Sequence, residues 1–365
     1  MKKVLEILLN YTADPPNVVV MFDPYPLIRP LLFLLPPEAA HAATLAILGD
    51  RNFAALFSRF NKFDFGRTTS AALPGLFLRN VFGLAAGADK NASALAGWDA
   101  LGFGFVEIGT VTPRPQKGNP PPRLWRFPCK DALVNALGFP NDGADAVAAR
   151  LRHWREKHPR GSGMLVGVNC GKQKETPLRD AVRDYLHVIE TCGAFADFIV
   201  INVSSPNTPG LRALQTAETI YPLVLEIVQA CAADTVGAGS SLPVWVKISP
   251  DIDDVALVET ADAIARAGAA AVVATNTTVD HSPLACEIKR GSMPGGMSGK
   301  PLFERSLRCV QRLQNYLCGR LPIVACGGIS SPDHVRAYVG AGATLLELYT
   351  ALVFQGPFLL RKLAR

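Results

Sequence analysis

The segment Ile199–Arg212, IVINVSSPNTPGLR, sets two carboxamides (Asn202, Asn207) and three hydroxyls (Ser204, Ser205, Thr208) directly after a β-branched apolar run. A carboxamide offers a donor and an acceptor side by side, which suits the edge of a ring bearing amide or urea groups. A hydroxyl takes a proton only when its surroundings activate it. Polar groups at the end of an apolar run stand at the lip of a core, where small-molecule sites are commonly built. Ser, Asn, Pro and Gly are also turn formers, so the segment alone reads equally as a strand and a turn. Similar groups recur along the chain. Asn135 and Asn276 add carboxamides, Lys90 offers a cation for a carboxylate, and Lys247 one for charge on a bound ring. Glycine-rich turns around Gly299 and Gly327-Gly328 suit a phosphate gripped by backbone N–H groups. No His, Cys or Asp/Glu pair occupies an obvious base position, which leaves Ser204 and Ser205 as the central hydroxyls.

The elements that must position these groups are short apolar runs. Strands are expected at Val81–Leu84, Phe105–Ile108, Leu165–Val168, Phe198–Ile201, Val244–Val246, Ala271–Ala274, Ile323–Ala325 and Leu345–Leu348. Helical stretches separate most of them, among them Ala92–Leu101, Leu178–Thr191, Ile220–Ala233, Val255–Ala267, Glu304–Leu317 and Pro332–Val339. Eight strands in β/α alternation predict a TIM barrel. The rival is an open doubly wound sheet, which favours a GxGxxG turn after its first strand; GLAAGADK does not match. Every expected strand hands over to small, amide, hydroxyl or lysine groups at its C-terminal end, the face on which barrel active sites are built.

Upstream, residues 1–22 read as a short helix and linker without assignable chemistry, and a hairpin is expected around Leu73–Leu78. Between them, residues 23–66 form an apolar helical element. Pro37-Glu38 is a helix start, and Phe53, Leu56, Phe57 and Phe60 fall on one face. Such helices either pack on the main domain or lie in a membrane interface.

Composition narrows the class. The 365 residues carry a formal charge of +6 without a long basic run, which argues against nucleic-acid binding and suits an anionic substrate or membrane surface. Eight scattered cysteines with no CxxC or Cys/His cluster point to free thiols and no metal. No apolar run is long enough to cross a bilayer, and Glu6 interrupts the N-terminal apolar patch, so no signal peptide is read.

With those residues in order, the chain resembles the class 2, quinone-dependent dihydroorotate dehydrogenases from about Tyr25 to Pro357. The motifs are GLAAGADKNA, GFVEIGTVTPRPQKGNPPPRLWR, NALGF, NVSSPNTPGLR, VKISPD, ATNTT, GGMSGKPL, CGGI and LYTALVFQGP. The resemblance implies a (β/α)8 barrel over residues 67–365 that holds FMN and oxidises dihydroorotate to orotate in pyrimidine biosynthesis. Ser205 would take the proton from substrate C5 while C6 delivers a hydride to flavin N5, and ubiquinone or menaquinone would reoxidise the flavin. Implied flavin contacts are Ala86, Gly87, Ala88, Asp89, Lys90, Thr110, Asn169, Asn202, Lys247, Thr275, Gly299, Gly328, Tyr349 and Thr350. Implied substrate contacts are Lys90, Asn135, Ala136, Leu137, Gly138, Phe139, Asn202, Asn207, Asn276 and Thr277. The helical element would dock on a membrane, a bacterial cytoplasmic face in preference to a mitochondrial inner membrane. It would admit quinone past His41, Arg126 and Tyr349, and the protein would be a monomer. Ala136, Cys170, Gln173 and the VACGG run depart from the usual family pattern. Two rivals stay open: a soluble barrel dehydrogenase using fumarate or NAD, and a membrane-associated barrel without the chemistry.

Overall fold

The computed structural model describes residues 23–61, 73, 76–232, 241–288 and 293–364. Residues 1–22, residues 62–66 of the expected helical element and residues 74–75 of the expected hairpin lie outside them. Eight parallel strands close a barrel: β1 (Phe82–Leu84), β2 (Phe105–Val111), β5 (Leu165–Cys170), β6 (Phe198–Asn202), β7 (Val244–Ile248), β8 (Ala271–Ala274), β10 (Ile323–Cys326) and β11 (Leu345–Leu348). The order around the barrel is β1-β11-β10-β8-β7-β6-β5-β2, so each expected strand is present and the open-sheet alternative falls. Their residues are almost all buried, because helices cover the outer face and side chains fill the inside.

The barrel is filled in layers set by the two-residue period of its strands. Phe105, Phe198 and Trp245 plug the N-terminal end, with the Phe198 and Trp245 rings stacked 3.9 Å apart. Gly83 and Gly167 face this plug, and a Cβ at either would lie within 2.1 Å of a phenylalanine ring. Two residues further along three of the strands stand Glu107, Asn169 and Lys247. Glu347, the register partner of Gly83, joins them. The polar layer is therefore a consequence of register.

Three strands lie outside the barrel in an antiparallel sheet that the sequence reading missed: β3 (Leu124–Phe127), β4 (Ala132–Asn135) and β9 (Gly296–Gly299). The glycine-rich stretch read as a phosphate turn is thus the end of a strand, paired through Gly299 to Ala132. This sheet walls one side of the barrel mouth.

The N-terminal element forms three helices, α1 (Tyr25–Leu34), α2 (Pro37–Gly49) and α3 (Arg51–Phe60). Helix α2 starts at the expected Pro37, and Asp50 caps α3 by accepting from the Phe53 N–H at 2.8 Å. Leu48 and Ala54 are buried, and Phe57 meets the Phe358 ring at 5.4 Å, so α2 and α3 pack on the barrel. Helix α1 is tied by Tyr25 Oη to the Val353 carbonyl (2.6 Å) and by Arg29 to the Phe354 carbonyl (3.0 Å). Its other face stays open, with Leu27, Leu31 and Leu34 67–81% exposed. The element therefore packs on the barrel through α2 and α3 and leaves one apolar face of α1 exposed.

Candidate active site

A cavity, open at its mouth, occupies the C-terminal end of the barrel. Its floor is the polar layer. Lys247 Nζ lies 2.6 Å from Glu107 Oε2 and 2.9 Å from Glu347 Oε2, with both carboxyl side chains fully buried. Asn169 donates to the other Glu107 oxygen. Burial opposes a charge on Lys247, but the two glutamates, Glu107 foremost, outweigh it and hold the ammonium protonated. Burial also acts against an ionised Glu107, yet the charge of Lys247 wins and keeps that carboxyl below its usual range. Glu347 meets burial and the charge of Glu107, and is pushed well above its usual range. The floor is one ammonium, one carboxylate and one neutral carboxyl. Lys247 was legible as a strand-end cation, but Glu107 and Glu347 were missed. Their signal was a glutamate inside each of the apolar runs VEIG and LLEL.

Above the floor, amides lock one another in place. Thr110 donates to Asn169 Oδ1 at 2.5 Å, and Asn202 donates to Thr110 Oγ1 at 3.0 Å and Asn169 Oδ1 at 3.2 Å. Asn202 Oδ1 accepts from the Ser204 N–H and hydroxyl, and Asn276 donates to Ser204 Oγ at 2.9 Å. Asn207 donates to Asn135 Oδ1 at 3.0 Å. All four carboxamides face the cavity, held by partners before any ligand arrives. Ser205, 5% exposed, also lines it, and its Oγ accepts from the Asn207 N–H at 3.2 Å. Its hydroxyl proton has no imidazole or carboxylate acceptor among the described residues.

The remaining predicted residues divide in two. Ala86, Gly87, Lys90, Thr275, Thr277, Leu137, Gly138, Phe139, Gly299, Gly328, Tyr349 and Thr350 line the same cavity. Ala88, Asp89, Ala136 and Asn169 stand behind the lining. The Asp89 carboxylate is spent on Ser93, Ala94 and Trp98 Nε1, so it shapes the turn that carries Lys90. Lys90 donates to the Gly87 carbonyl at 2.7 Å, and burial lowers its pKa to about 8. Of the quinone-path residues, Tyr349 lines the cavity and His41 and Arg126 do not. Burial, followed by the charge of Lys90, lowers the His41 pKa to about 4 and keeps it neutral. Arg126 donates to the carbonyls of Leu32, Phe33 and Leu35 and lies 4.5 Å from the Phe33 ring centroid, so it fastens the C-terminal end of α1.

The cavity suits a flavin phosphate ester on observations of its own. Gly299 and Gly328 take positive φ where a Cβ would meet backbone at 2.2 and 2.5 Å, so only glycine forms this cradle. Glu347 Oε1 is buried beside the cavity floor with no hydrogen-bond partner among the described residues. A flat ring with polar edges answers both the locked amides and that floor.

A family model described as dihydroorotate dehydrogenase matches residues 69–365. The dihydroorotate dehydrogenase (quinone) of Pseudomonas fluorescens Pf-5 is 42% identical over 342 residues, covering 93% of this chain and 97% of its own. That of Methylococcus capsulatus is 43% identical over 340 residues, covering 93% of this chain and 97% of its own. Among solved structures, DHODH from Eimeria tenella in complex with ferulenol superposes with a TM-score of 0.78 at 31% identity, over 92% of this chain and 93% of that one. The ligand-free form from the same organism gives 0.73 at 32% identity, over 86% and 92%.

Proposed function

This chain belongs to the dihydroorotate dehydrogenase family and is an oxidoreductase of its quinone-dependent kind, and on that premise we propose how its residues divide the work. The reaction is the oxidation of dihydroorotate in pyrimidine biosynthesis. The cofactor of our reading is FMN, which Gly299, Gly328 and Lys247 would help to hold. Bound there, it supplies the acceptor for the substrate's hydride and passes the electrons on to quinone.

The residues do the rest. Asn135, Asn202, Asn207 and Asn276 hold the substrate ring through paired donors and acceptors, and Lys90 meets its carboxylate. Ser205 takes the proton from the carbon next to the one that loses hydride. The single observation that carries this reading is a nearly buried hydroxyl among four pre-locked carboxamides, above a floor whose cation stays charged. Serine is a weak base, so as Ser205 accepts the substrate proton its own hydroxyl proton passes to water in the open cavity, and the Asn207 N–H stabilises the alkoxide character this gives the oxygen. Fixed donors cost no reorganisation when that charge develops. A first test is the identity of the bound group. Denatured protein should release FMN, whereas colourless protein or a different flavin would contradict this assignment.

The value near 8 for Lys90 has a direct consequence. A lysine with a lowered pKa carries its charge below that pH and loses it above. Orotate affinity should therefore hold up to about pH 8 and then fall up to about tenfold per further unit. Lys90→Met should bind weakly with a flat profile over that interval. A wild-type affinity constant to pH 9.5 would refute the contact.

The open face of α1 supports peripheral attachment to a membrane, which we assign to the cytoplasmic face of a bacterial cell. No helix among the described residues is long and apolar enough to cross a membrane. Quinone would enter between α1, α2 and the barrel, past His41 toward Tyr349, with Arg126 shaping the entrance through its hold on α1. We take the protein to act as a monomer. Burying a leucine is worth ~1.5–3 kcal/mol, so Leu31→Glu with Leu34→Glu should weaken vesicle binding at least about 100-fold. Equal co-flotation of variant and wild type with vesicles would show that this face is not the anchor.

A further inference from the structure

One contact joins the N-terminal helical element to the substrate side of the cavity. Glu38, in the first turn of α2, accepts from Arg123 Nε at 3.1 Å and from Nη2 at 2.9 Å, a forked ion pair. The Arg123 side chain is 15% exposed and that of Glu38 39%, so the pair is half-buried with its guanidinium on the inner side. The same guanidinium donates through Nη1 to the carbonyls of Lys117 (2.6 Å) and Asn119 (2.8 Å), closing the loop 117–123 on itself. That loop lies against the expected substrate segment. The Arg123 carbonyl accepts from the Ala136 N–H at 2.8 Å, and the Asn119 N–H donates to the Leu137 carbonyl at 2.9 Å. The Asn119 carboxamide then reaches the carbonyls of Ala136 (2.9 Å) and Asn207 (3.4 Å). A Cβ on Gly118 would meet the Leu137 carbonyl at 2.3 Å, so the two segments are in direct contact.

We propose that Glu38 and Arg123 are positioning residues through which the helical element orders the dihydroorotate pocket. The inference rests on the functional reading above and adds a route from helix α2 to Asn135, Asn207 and the 136–138 turn. The pair has an electrostatic side as well. Lys90 is lowered mainly by burial; Asp89 and Glu38 act to raise it, and Arg123 to lower it. His41, which burial and the charge of Lys90 keep neutral, adds no charge to this set. Removing the charge of Glu38 both frees Arg123 and moves Lys90 further down, so the two effects weaken an anionic substrate together. A free α2 would leave loop 117–123 without its outer anchor.

The test uses full-length, flavin-loaded protein and follows orotate binding by the change in flavin absorbance, together with separate KM values for dihydroorotate and a soluble quinone analogue. Glu38→Gln should raise the orotate Kd and the dihydroorotate KM about tenfold, with kcat and the quinone KM within about twofold. Its fall in affinity with pH should begin lower than in wild type. Glu38→Asp, which keeps the charge, should recover most of the loss. Arg123→Lys, a cation without the fork, should behave like Glu38→Gln and serves if that variant does not fold. Unchanged orotate affinity in Glu38→Gln and Arg123→Lys overturns the proposal. So does a quinone KM that rises as much as the dihydroorotate KM, since that marks a defect local to the helices. Wild-type protein that failed to bind orotate would count against the functional reading itself, whereas variants that bind like wild type count against the coupling alone.

Discussion

Ser205→Ala should slow reduction of the flavin by dihydroorotate about 10²–10⁴-fold while leaving flavin content and orotate affinity close to wild type. The reasoning is local. The Ser205 side chain lines the cavity and is nearly buried, and its recorded hydrogen bond is the one Oγ accepts from the Asn207 N–H. Removing one oxygen opens no large void and releases only the Asn207 backbone N–H, because Asn202, Ser204 and Asn276 fix one another and the Asn207 carboxamide keeps Asn135. A loss confined to the reductive step, read by anaerobic stopped-flow, is the signature of a group that acts only in the transition state. Reduction at a near-normal rate in the variant would mean that another group takes the proton.

Lys247→Met should have the largest effect on the protein as a whole. It leaves Glu107 and Glu347 fully buried without their cation, and breaking a buried ion pair from one side costs about 3–5 kcal/mol. For a chain of 365 residues that corresponds to a melting temperature lower by about 4–7 °C. Flavin retention should fall with it, since the floor would then carry uncompensated negative charge. The control is the triple variant Glu107→Gln, Lys247→Met, Glu347→Gln, which removes the buried charges together. It should regain most of the stability, because replacing all members of such a cluster by neutral groups of similar shape is often nearly neutral. It should not regain full flavin binding. A single Lys247→Met variant that melts like wild type would show that the carboxyls neutralise themselves and that the cation is dispensable.

These two residues also mark how far the sequence could be read. Ser205 was legible because it stands four residues past a β-branched run, in a turn rich in polar groups, and the same handover recurs at each strand end. Barrel strands are buried on both faces, so their runs are short and continuously apolar, and they stand out from amphipathic helices without knowledge of their partners. Lys247 was legible for the same reason, as a cation closing VWVK. What surrounds it was not. Glu107 and Glu347 lie 240 positions apart in the chain and meet only because strand register puts them in one layer, a relation that no local pattern carries. The β3-β4-β9 sheet was hidden for a related reason. Gly296–Gly299 has the composition of a turn and is drawn straight only by pairing with Ala132–Asn135. Arg126 shows a third limit. Its residue type suits an anion or a polar quinone, yet its partners are the carbonyls that end α1, and helix ends declare such needs only once the helices are packed. The Glu38–Arg123 fork, likewise, joins segments 85 residues apart.

The central claim is that electrons pass from dihydroorotate through a bound flavin to a quinone, and one anaerobic experiment addresses it most directly. The purified protein is reduced with one equivalent of dihydroorotate in a sealed cuvette, and short-chain ubiquinone, menaquinone, fumarate and NAD are then added to separate samples. The account predicts that dihydroorotate bleaches the flavin with formation of orotate. It further predicts that at least one quinone restores the colour within seconds while fumarate and NAD leave it bleached. Rapid reoxidation by fumarate or NAD with none by either quinone would contradict it.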